Sequence, residues 1–463
     1  SDVCSSDLEI IMLKKKTALL MGTCMLTSMF GGALTAQAEE ETITFYSWSS
    51  GSEAEADTAV CAQYEAEHPG VTVEPTFIPY AEYLSKLNTM AAAGSMPDVF
   101  KVPEMNALEW GSKGALLDLK PLYDEAGINP LDEMVPSTVF QSGDSVWGVG
   151  CNVATMAVFY NKALFEENGL ELPSADPNNP WTWEEYVDVA KKLTKDYDGK
   201  TPLDEGFNDQ DVMTYGTVMP TDFVKWLPLL YSNNSAIAND EGTELLINTP
   251  EGIEVIQAIA DLSLVEKCAP DVGTAKGAFA DVSAMVMNGQ LGMVIDGAWT
   301  LGNYANEGFE DLGVAPLPMF DHPANMSWGA AVCMAPENAD NKTAFDFLCY
   351  YTDFNNTVHS ALEQGVSVGC LPHSLDTFDD GENEKAWVST YFGADYTENC
   401  AVFKDIVQQK DNRLGENVTL KNFSVIVDNT IVPLLDNVWL GEMTAEEALS
   451  TLDVAEDLQG TWN

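Results

Sequence analysis

The stretch Thr42-Ile-Thr-Phe-Tyr-Ser-Trp48 opens the part of the chain that decides the fold. Its alternating apolar positions predict a first strand, and helix and strand patterns then take turns along the chain. Helical patterns cover 53–68 and 80–93, and strand patterns cover 71–77 and 97–100. The order β-α-β-α-β indicates a parallel sheet with helices on both faces, so we expect an α/β fold.

A second informative stretch runs from Gly289 to Gly302. An apolar run of strand length ends there at Asp296-Gly297, and Trp299 follows at once. In open α/β sheets, ligands bind in the crevice outside the carboxyl ends of the strands. A tryptophan delivered to that crevice by a glycine turn would suit a stacking platform. The alternative is that Trp299 caps the core beneath it.

Residues 1–38 read as a leader that is removed. The segment Met12-Leu13-Lys14-Lys15-Lys16 is a positively charged start, Thr17 to Phe30 is a mostly apolar stretch, and Ala36-Gln37-Ala38 fits a cleavage site. We therefore expect an exported chain that begins near Glu39 and is extracellular or periplasmic. Cys24 is a candidate for lipid attachment, but Met21-Gly22-Thr23 is a poor match to the usual lead-in.

The composition is strongly acidic. The chain has 73 Asp and Glu against 21 Lys and Arg, which gives a formal net charge of −52. Such a surface repels nucleic acid, so we expect no nucleic-acid partner and a neutral ligand. The same charge would also serve to keep the protein solvated in salty or acidic surroundings. Without the leader the chain is still long enough for two or three domains.

The cysteines match neither a disulfide framework nor a metal site. Beyond the leader seven cysteines are scattered without a C-x-x-C spacing, and the chain has four histidines. An odd, dispersed set is typical of small buried residues. We therefore expect no metal or other cofactor.

Six segments taken together resemble a known family, although each is a weak signal alone. They are, in chain order, Tyr64–Val71, Tyr83–Phe100, Tyr160–Phe165, Trp181–Tyr186, Gly289–Trp299 and Thr444–Leu449. The ordered set is specific, and it spans nearly all of the chain beyond the leader. On these segments the sequence resembles the extracellular solute-binding proteins of family 1, the carbohydrate receptors of ABC importers that include maltose-binding protein.

The resemblance implies a periplasmic-binding-protein-like fold of two α/β lobes, with a hinge between them and the ligand in the cleft. Glycine-flanked or proline-containing extended segments are the candidate crossings between lobes. They are 146–160, 312–318 and 365–372. One lobe would then hold 39–150 plus 317–362, and the other 151–316 plus 363–463.

The resemblance also implies a set of cleft residues. Aromatic rings would stack on the apolar face of a sugar, while carboxylates and amides would bind its hydroxyls. The expected ligand-binding residues are Trp48, Ser49, Tyr80, Glu104, Asn106, Asn152, Thr155, Trp226, Asn233, Asp296, Trp299, Trp328 and Gly329.

Enzymatic alternatives find less support in the residues. Gly365-Val-Ser-Val-Gly369 matches a nucleophile elbow, yet Pro372 follows where the elbow needs a helix. Paired carboxylates such as Glu446 and Glu447 would suit a secreted glycosidase, but they follow Thr444 as a helix start. We therefore expect no enzyme, but a monomeric binding protein that captures a neutral carbohydrate for the permease subunits of an ABC importer. A secreted glycosidase or a stand-alone carbohydrate-binding protein is the alternative.

Overall fold

The computed structural model describes residues 41–462, apart from 278, 280, 366, 367, 369, 370, 380 and 391–396. The predicted leader, with Cys24, lies outside the described residues. Within the described ranges, no helix combines the length and the apolar character that a bilayer crossing needs.

Strands are short and distributed over the whole described chain. They are β1 Glu41–Ser47, β2 Val71–Phe77, β3 Val99–Val102, β4 Val139–Ser142, β5 Ser145–Gly150, β6 Ala154–Asn161, β7 Lys195–Asp196, β8 Val212–Thr214, β9 Met293–Gly297, β10 Leu312–Ala315, β11 Asn325–Trp328, β12 Ala331–Met334 and β13 Asn412–Leu414.

Helices make up most of the remaining regular structure. They are α1 Gly51–Glu67, α2 Tyr80–Ala93, α3 Glu104–Ser112, α4 Lys120–Ala126, α5 Pro130–Glu133, α6 Lys162–Glu167, α7 Trp183–Leu193, α8 Phe223–Ser232, α9 Pro250–Leu264, α10 Val272–Gly277, α11 Val282–Met287, α12 Leu301–Asn306, α13 Lys342–Thr352, α14 Phe354–Gln364, α15 Leu375–Asp379, α16 Gly381–Ser389, α17 Thr397–Val407, α18 Glu416–Thr419, α19 Phe423–Ile426, α20 Val432–Trp439 and α21 Ala445–Leu449. The described residues also include short 3₁₀ turns at Pro136–Thr138, Ala298–Thr300 and Pro336–Asn338 and a π-helical turn at Val427–Ile431.

The first sheet has the strand order β2-β1-β3-β12-β5-β4. Strand β1 runs parallel to β2 and β3, as the β-α-β-α-β pattern predicts. Strand β12 is antiparallel to both β3 and β5, and β4 is antiparallel to β5. The predicted α/β class is therefore confirmed, with antiparallel strands added along one side.

The second sheet is built around β6. This strand pairs antiparallel with β9, β10 and β11, and β13 continues the sheet beyond β11. Strand β6 is almost entirely buried, which explains why 154–161 reads as a continuous apolar run instead of an alternating one. Two separate sheets, each with its own helices, give the two lobes of the fold.

The chain passes between the two sheets at two clear points. It leaves the first sheet at Gly150 and enters the second at Ala154. It returns between Trp328, the last residue of β11, and Ala331, the first of β12. The predicted lobe boundary at 317 is therefore too early, because β11 still belongs to the second sheet.

The predicted crossing at 312–318 is wrong. Residues 312–315 form β10, which lies along β6 with Leu312 opposite Asn161 and Ala315 opposite Val158. Prolines 316 and 318 end this strand and do not mark a hinge. The third predicted crossing, 365–372, lies partly outside the described residues, but Leu371 bridges Val153 beside the first crossing.

Helix starts follow the local signals. Thr182 and Glu185 form a reciprocal capping box at the start of α7, and Thr444 and Glu447 form one at α21. Glu447 therefore caps a helix, which is the structural role that the Thr444 signal predicts for it. Gly94 ends α2 in the left-handed conformation, with φ of 62°.

Candidate ligand-binding cleft

Three strands of the first sheet end at one edge. Strands β1 and β3 are parallel, so their carboxyl ends point the same way. Val102 at the end of β3 lies opposite Ala331, and Ala331 also lies opposite Gly150 at the end of β5. The residues that follow these strands therefore meet at this edge, which is where open α/β sheets bind ligands.

The second sheet presents a matching edge at the start of β6. Trp328 at the end of β11 lies opposite Ala154, and Gly297 at the end of β9 lies opposite Met156. Only three residues separate β5 from β6, and a connection of that length spans at most about 14 Å. The two edges therefore lie close together at the crossings between the lobes.

An aromatic cluster covers the first edge. The ring of Trp48 meets those of Tyr80 and Tyr83 edge to face, with centroids 5.6 and 5.2 Å apart. Tyr83 is buried, and its hydroxyl lies 2.9 Å from the carbonyl oxygens of both Tyr46 and Lys101, to which its single O–H can donate. Tyr80, in contrast, is 56% exposed at the start of α2. The buried ring supports Trp48, and the exposed ring is available to a ligand.

Ser49 beside this cluster is used internally. It is buried, and its hydroxyl accepts a hydrogen bond of 2.9 Å from Nζ of Lys101. The same ammonium lies 3.2 Å from Glu53 and 3.3 Å from Asp57. Burial opposes the charge on Lys101, but the attraction of Asp57, Tyr351 and Glu53 outweighs it and raises its pKa well above the usual value.

Sequence reasoning missed Lys101, although one signal was present. A lysine inside the apolar strand Val99-Phe100-Lys101-Val102 needs buried partners. Nothing in the local pattern says that those partners lie on α1 and in the turn after β1. In the structure this lysine ties the Ser47–Ser49 turn to the strand beneath it.

Two polar side chains stand at the start of α3. Glu104 accepts a hydrogen bond of 3.1 Å from Nδ2 of Asn417, and burial raises the pKa of Glu104. The Oδ1 atom of Asn106 is buried and has no hydrogen-bond partner among the described residues. An unpaired buried acceptor favours a donor from outside, such as a ligand hydroxyl. Asn417 is a further residue of this corner that sequence reasoning missed.

Asn152 and Gly329 meet at the crossings. The side-chain oxygen of Asn152 accepts a hydrogen bond of 3.3 Å from the backbone N–H of Ala330. A Cβ atom on Gly329 would lie 2.1 Å from the backbone oxygen of Asn152. These two residues therefore hold the two crossing segments together, and only glycine fits at 329.

Trp299 and Trp328 pair at the second edge. Their ring centroids are 6.0 Å apart with an interplanar angle of 64°. Trp328 is buried, whereas Trp299 is 43% exposed and covers Gly297. The strand-end position expected for Trp299 is found, and the buried ring of Trp328 supports it as Tyr83 supports Trp48.

Asp296, the last side chain before this turn, is buried in β9. Its Oδ1 atom lies 3.2 Å from Nζ of Lys225 and accepts a hydrogen bond of 2.8 Å from the backbone N–H of Gly297. Lys225 on α8 was not among the expected site residues. Its position in the sequence, 71 residues before Asp296, carries no local signal of this pairing.

The sequence that forms this arrangement matches a known protein family. The family described as bacterial extracellular solute-binding protein matches residues 48–353, which is more than half of the chain. The chain belongs to this family. The matched range includes both strand-end edges and both crossings between the sheets.

Individual relatives of this solute-binding protein share a modest part of its sequence. A putative binding protein of Brucella abortus is 27% identical over 283 residues, which cover 60% of this chain and 64% of that protein. A galactooligosaccharide-binding protein of Bacillus subtilis is 25% identical over 283 residues, with 58% of each chain covered. The chain thus spans less than two thirds of the length of these curated relatives.

A solved structure is similar over almost its whole length. It is the ABC substrate-binding protein Lmo0181 of Listeria monocytogenes in complex with cycloalternan. The TM-score is 0.73 at 21% identity, with 90% of this chain and 98% of that chain covered. At this identity the likeness concerns the fold, and it agrees with the two lobes described above.

Three expected contact residues of this solute-binding protein are buried away from any ligand. Trp226 is fully buried in α8, and its Nε1 atom donates to the carbonyl oxygen of Thr221 at 3.2 Å. Thr155 is fully buried in β6 and donates to the carbonyl oxygen of Met326 at 3.0 Å. The expectation that these side chains face the cleft is therefore wrong, because each completes the packing of the second lobe.

Asn233 is the third of these residues. Its Nδ2 atom donates to the carbonyl oxygen of Glu251 at 2.9 Å and to the side chain of Glu254 at 3.0 Å. It ties the end of α8 to α9 and offers no free donor. The aromatic residue of α8 that is not buried is Phe223, whose ring meets Phe423 at 5.1 Å.

Proposed function

We propose that this protein captures a carbohydrate in the cleft between its lobes and delivers it to the permease of an ABC importer. One observation carries the proposal. Each of the two edges combines an exposed aromatic ring with a buried aromatic ring nearby: Tyr80 contacts the partly buried Trp48, which rests on the buried Tyr83, and Trp299 contacts the buried Trp328. Aromatic rings with nearby carboxylates and amides are what a sugar requires, since it has apolar C–H faces and hydroxyls that both donate and accept.

The ligand would be a neutral sugar or oligosaccharide. A galactooligosaccharide-binding protein among the relatives and cycloalternan in a similar structure favour this class. The net charge of −52 disfavours an acidic ligand, and it also disfavours nucleic acid.

Capture would proceed by closure of the hinge without chemistry. The lobes would move about the crossings at 151–153 and 329–330 and about the return of the chain to the second lobe after α14, and ligand contacts on both edges would favour the closed state. The first lobe would hold 39–150 together with the chain from β12 to α14, and the second lobe 151–328 with the remainder. We propose further that the chain acts as an exported monomer, released from its leader at Ala38 and free of lipid on Cys24.

A binding screen tests the proposal. Purified protein is melted with maltotriose, galactotriose and arabinotriose, because a ligand of the folded state stabilises it by about 2.7 kcal/mol at a hundredfold excess over Kd. Tyr80→Ala should then weaken binding in a calorimetric titration. Tyr197→Ala is the matched control, since Tyr197 is 69% exposed but directly follows β7, which pairs with β8 in a separate two-stranded sheet.

Two results would contradict the proposal. If no sugar raises the melting temperature, or if Tyr80→Ala and Tyr197→Ala bind equally well, the cleft does not bind these carbohydrates. If chromatography shows products accumulating from a bound sugar, and one carboxylate substitution stops this accumulation, the protein is a glycosidase instead.

Hinge closure has a test of its own. Small-angle scattering with saturating sugar should give a smaller radius of gyration of the protein than scattering without sugar.

A further inference from the structure

A pocket of about 480 Å³ opens in the second lobe beside Trp299. It lies between α8, the end of β9, α10 and α12. Its polar wall contains Lys225, Asp296 and Asn303, and its apolar wall contains Val218 and Val272. A space of this size, with an apolar side and a few polar groups, has the character of a small-molecule site.

The Lys225–Asp296 pair in this pocket is largely enclosed but has unused hydrogen-bonding capacity. Asp296 is buried and the side chain of Lys225 is 15% exposed. Nζ of Lys225 lies 3.2 Å from Oδ1 of Asp296 and 3.9 Å from Oδ2 of Asp222, which is too long for a hydrogen bond. An ammonium has three N–H groups, and among the described residues Asp296 takes up at most one or two of them, so at least one remains for a ligand.

A donor and an acceptor side by side suit one chemical group in particular. Adjacent hydroxyls of a sugar ring can accept from an ammonium with one oxygen while donating to a carboxylate with its neighbour. Bonds to charged partners are the stronger kind, and enclosure strengthens them further. The exposed ring of Trp299 supplies the flat apolar surface that the C–H face of the same sugar unit would cover.

We propose that this pocket seats one sugar unit of the ligand, and that Lys225 and Asp296 together bind a vicinal diol of that unit. Lys225 thereby becomes a ligand-binding residue and sets a preference for a sugar unit with two adjacent free hydroxyls. The inference rests on the proposed carbohydrate binding. The inference extends that proposal by naming Lys225 as a ligand-binding residue and by naming the chemical group of the sugar that is recognised.

A purely structural ion pair is the competing explanation. In that case Lys225 only neutralises the buried Asp296, and its loss weakens the fold without a specific effect on binding. Lys191 provides a matched control, because it is 21% exposed and pairs with Glu266 at 2.7 Å without lining this pocket. Removing either lysine breaks one ion pair whose side chains are at least two-thirds buried.

The test measures affinity and stability together. Calorimetric titration with maltotriose, galactotriose and arabinotriose is run on the wild type, Lys225→Met and Lys191→Met, beside urea melts of each. We expect Lys225→Met to weaken binding of the recognised sugar by thirtyfold or more, and Lys191→Met to change it less than threefold. Lys225→Met should reduce the affinity much less in a chain that already carries Asp296→Asn than in the wild type, because both groups bind the same diol.

A second variant keeps the proposal testable if Lys225→Met does not fold. Ala275 lines the pocket on α10 and is not part of the ion pair. Ala275→Phe would fill the space and should weaken binding at least tenfold with little effect on the urea midpoint. Wild-type affinity in Ala275→Phe, or in a folded Lys225→Met, would overturn the inference.

The outcomes also separate the inference from the proposed function. If Tyr80→Ala weakens sugar binding while Lys225→Met and Ala275→Phe bind normally, the cleft binds carbohydrate and the second-lobe subsite is refuted. If the wild type binds none of the three sugars, both the proposed function and the inference are overturned.

Discussion

Gly297 controls where the ring of Trp299 lies. A Cβ atom at residue 297 would sit 2.1 Å from the Cη2 and Cζ3 atoms of Trp299, whereas ordinary contact begins near 3.4 Å. The backbone of Gly297 is extended, with φ of −87° and ψ of 154°, so alanine is tolerated by the main chain. The substitution Gly297→Ala should therefore act almost entirely by displacing the indole ring, by roughly 1.3 Å or more.

The expected cost falls on binding more than on folding. Loss of a central aromatic contact typically costs about 2 kcal/mol of binding free energy, which corresponds to about thirtyfold in affinity. The ring of Trp299 is 43% exposed, so it can rotate outward instead of straining the core. The free energy of unfolding should then fall by only about 1 kcal/mol, the cost of an off-rotamer side chain.

Calorimetric titration and urea melts of four proteins decide the matter: the wild type, Gly297→Ala, Trp299→Ala and the double variant. If Gly297→Ala acts through the ring, it should change affinity less than about twofold in a chain that already carries Trp299→Ala. Equal losses from Gly297→Ala in both backgrounds would refute the reasoning. Unchanged affinity in Gly297→Ala would show that a ligand does not use this ring.

Three further predictions follow from the contacts. Gly329→Ala should cost about 1–3 kcal/mol of unfolding free energy in a urea melt, because its Cβ meets the backbone oxygen of Asn152 at 2.1 Å; a cost near zero contradicts the described crossing. Trp226→Ala should lower the free energy of unfolding by about 3–5 kcal/mol and leave the affinity of the folded fraction unchanged, because the ring lies in the core. A loss of affinity without a loss of stability would show that Trp226 contacts the ligand after all. Burial raises the pKa of Glu416 to about 7. The folded chain therefore keeps the Glu416 proton between about pH 4.5, where the unfolded chain releases it, and about pH 7. The protonated carboxyl contributes its full share to the free energy of unfolding below pH 4.5, and this contribution is lost as the pH rises to about 7. Urea melts at pH 5 and 7.5 give the loss of unfolding free energy between these two pH values, and we expect this loss to be up to about 3 kcal/mol larger in the wild type than in Glu416→Gln. An equal loss in both proteins would contradict the prediction.

The sequence by itself determined the local elements and the fold class. Alternation and turn signals over 42–100 predicted β1, α1, β2, α2 and β3, because each element depends on residues a few positions apart. The break at Asp296-Gly297 likewise predicted that Trp299 follows a strand end, but it left open whether the ring is exposed or covers the core. Resemblance in six ordered segments supplied the family and two lobes.

Tertiary structure decided the rest, since it depends on which faces meet. The sequence of α8 shows that Trp226 is an aromatic residue on a helix, but only the packing of the second lobe turns that ring inward. Whether 312–318 is a hinge or a strand depends on its pairing with β6, which lies about 150 residues earlier. Pairs such as Lys225 with Asp296 and Glu104 with Asn417 join distant segments, and periodicity carries no information about contacts of that range.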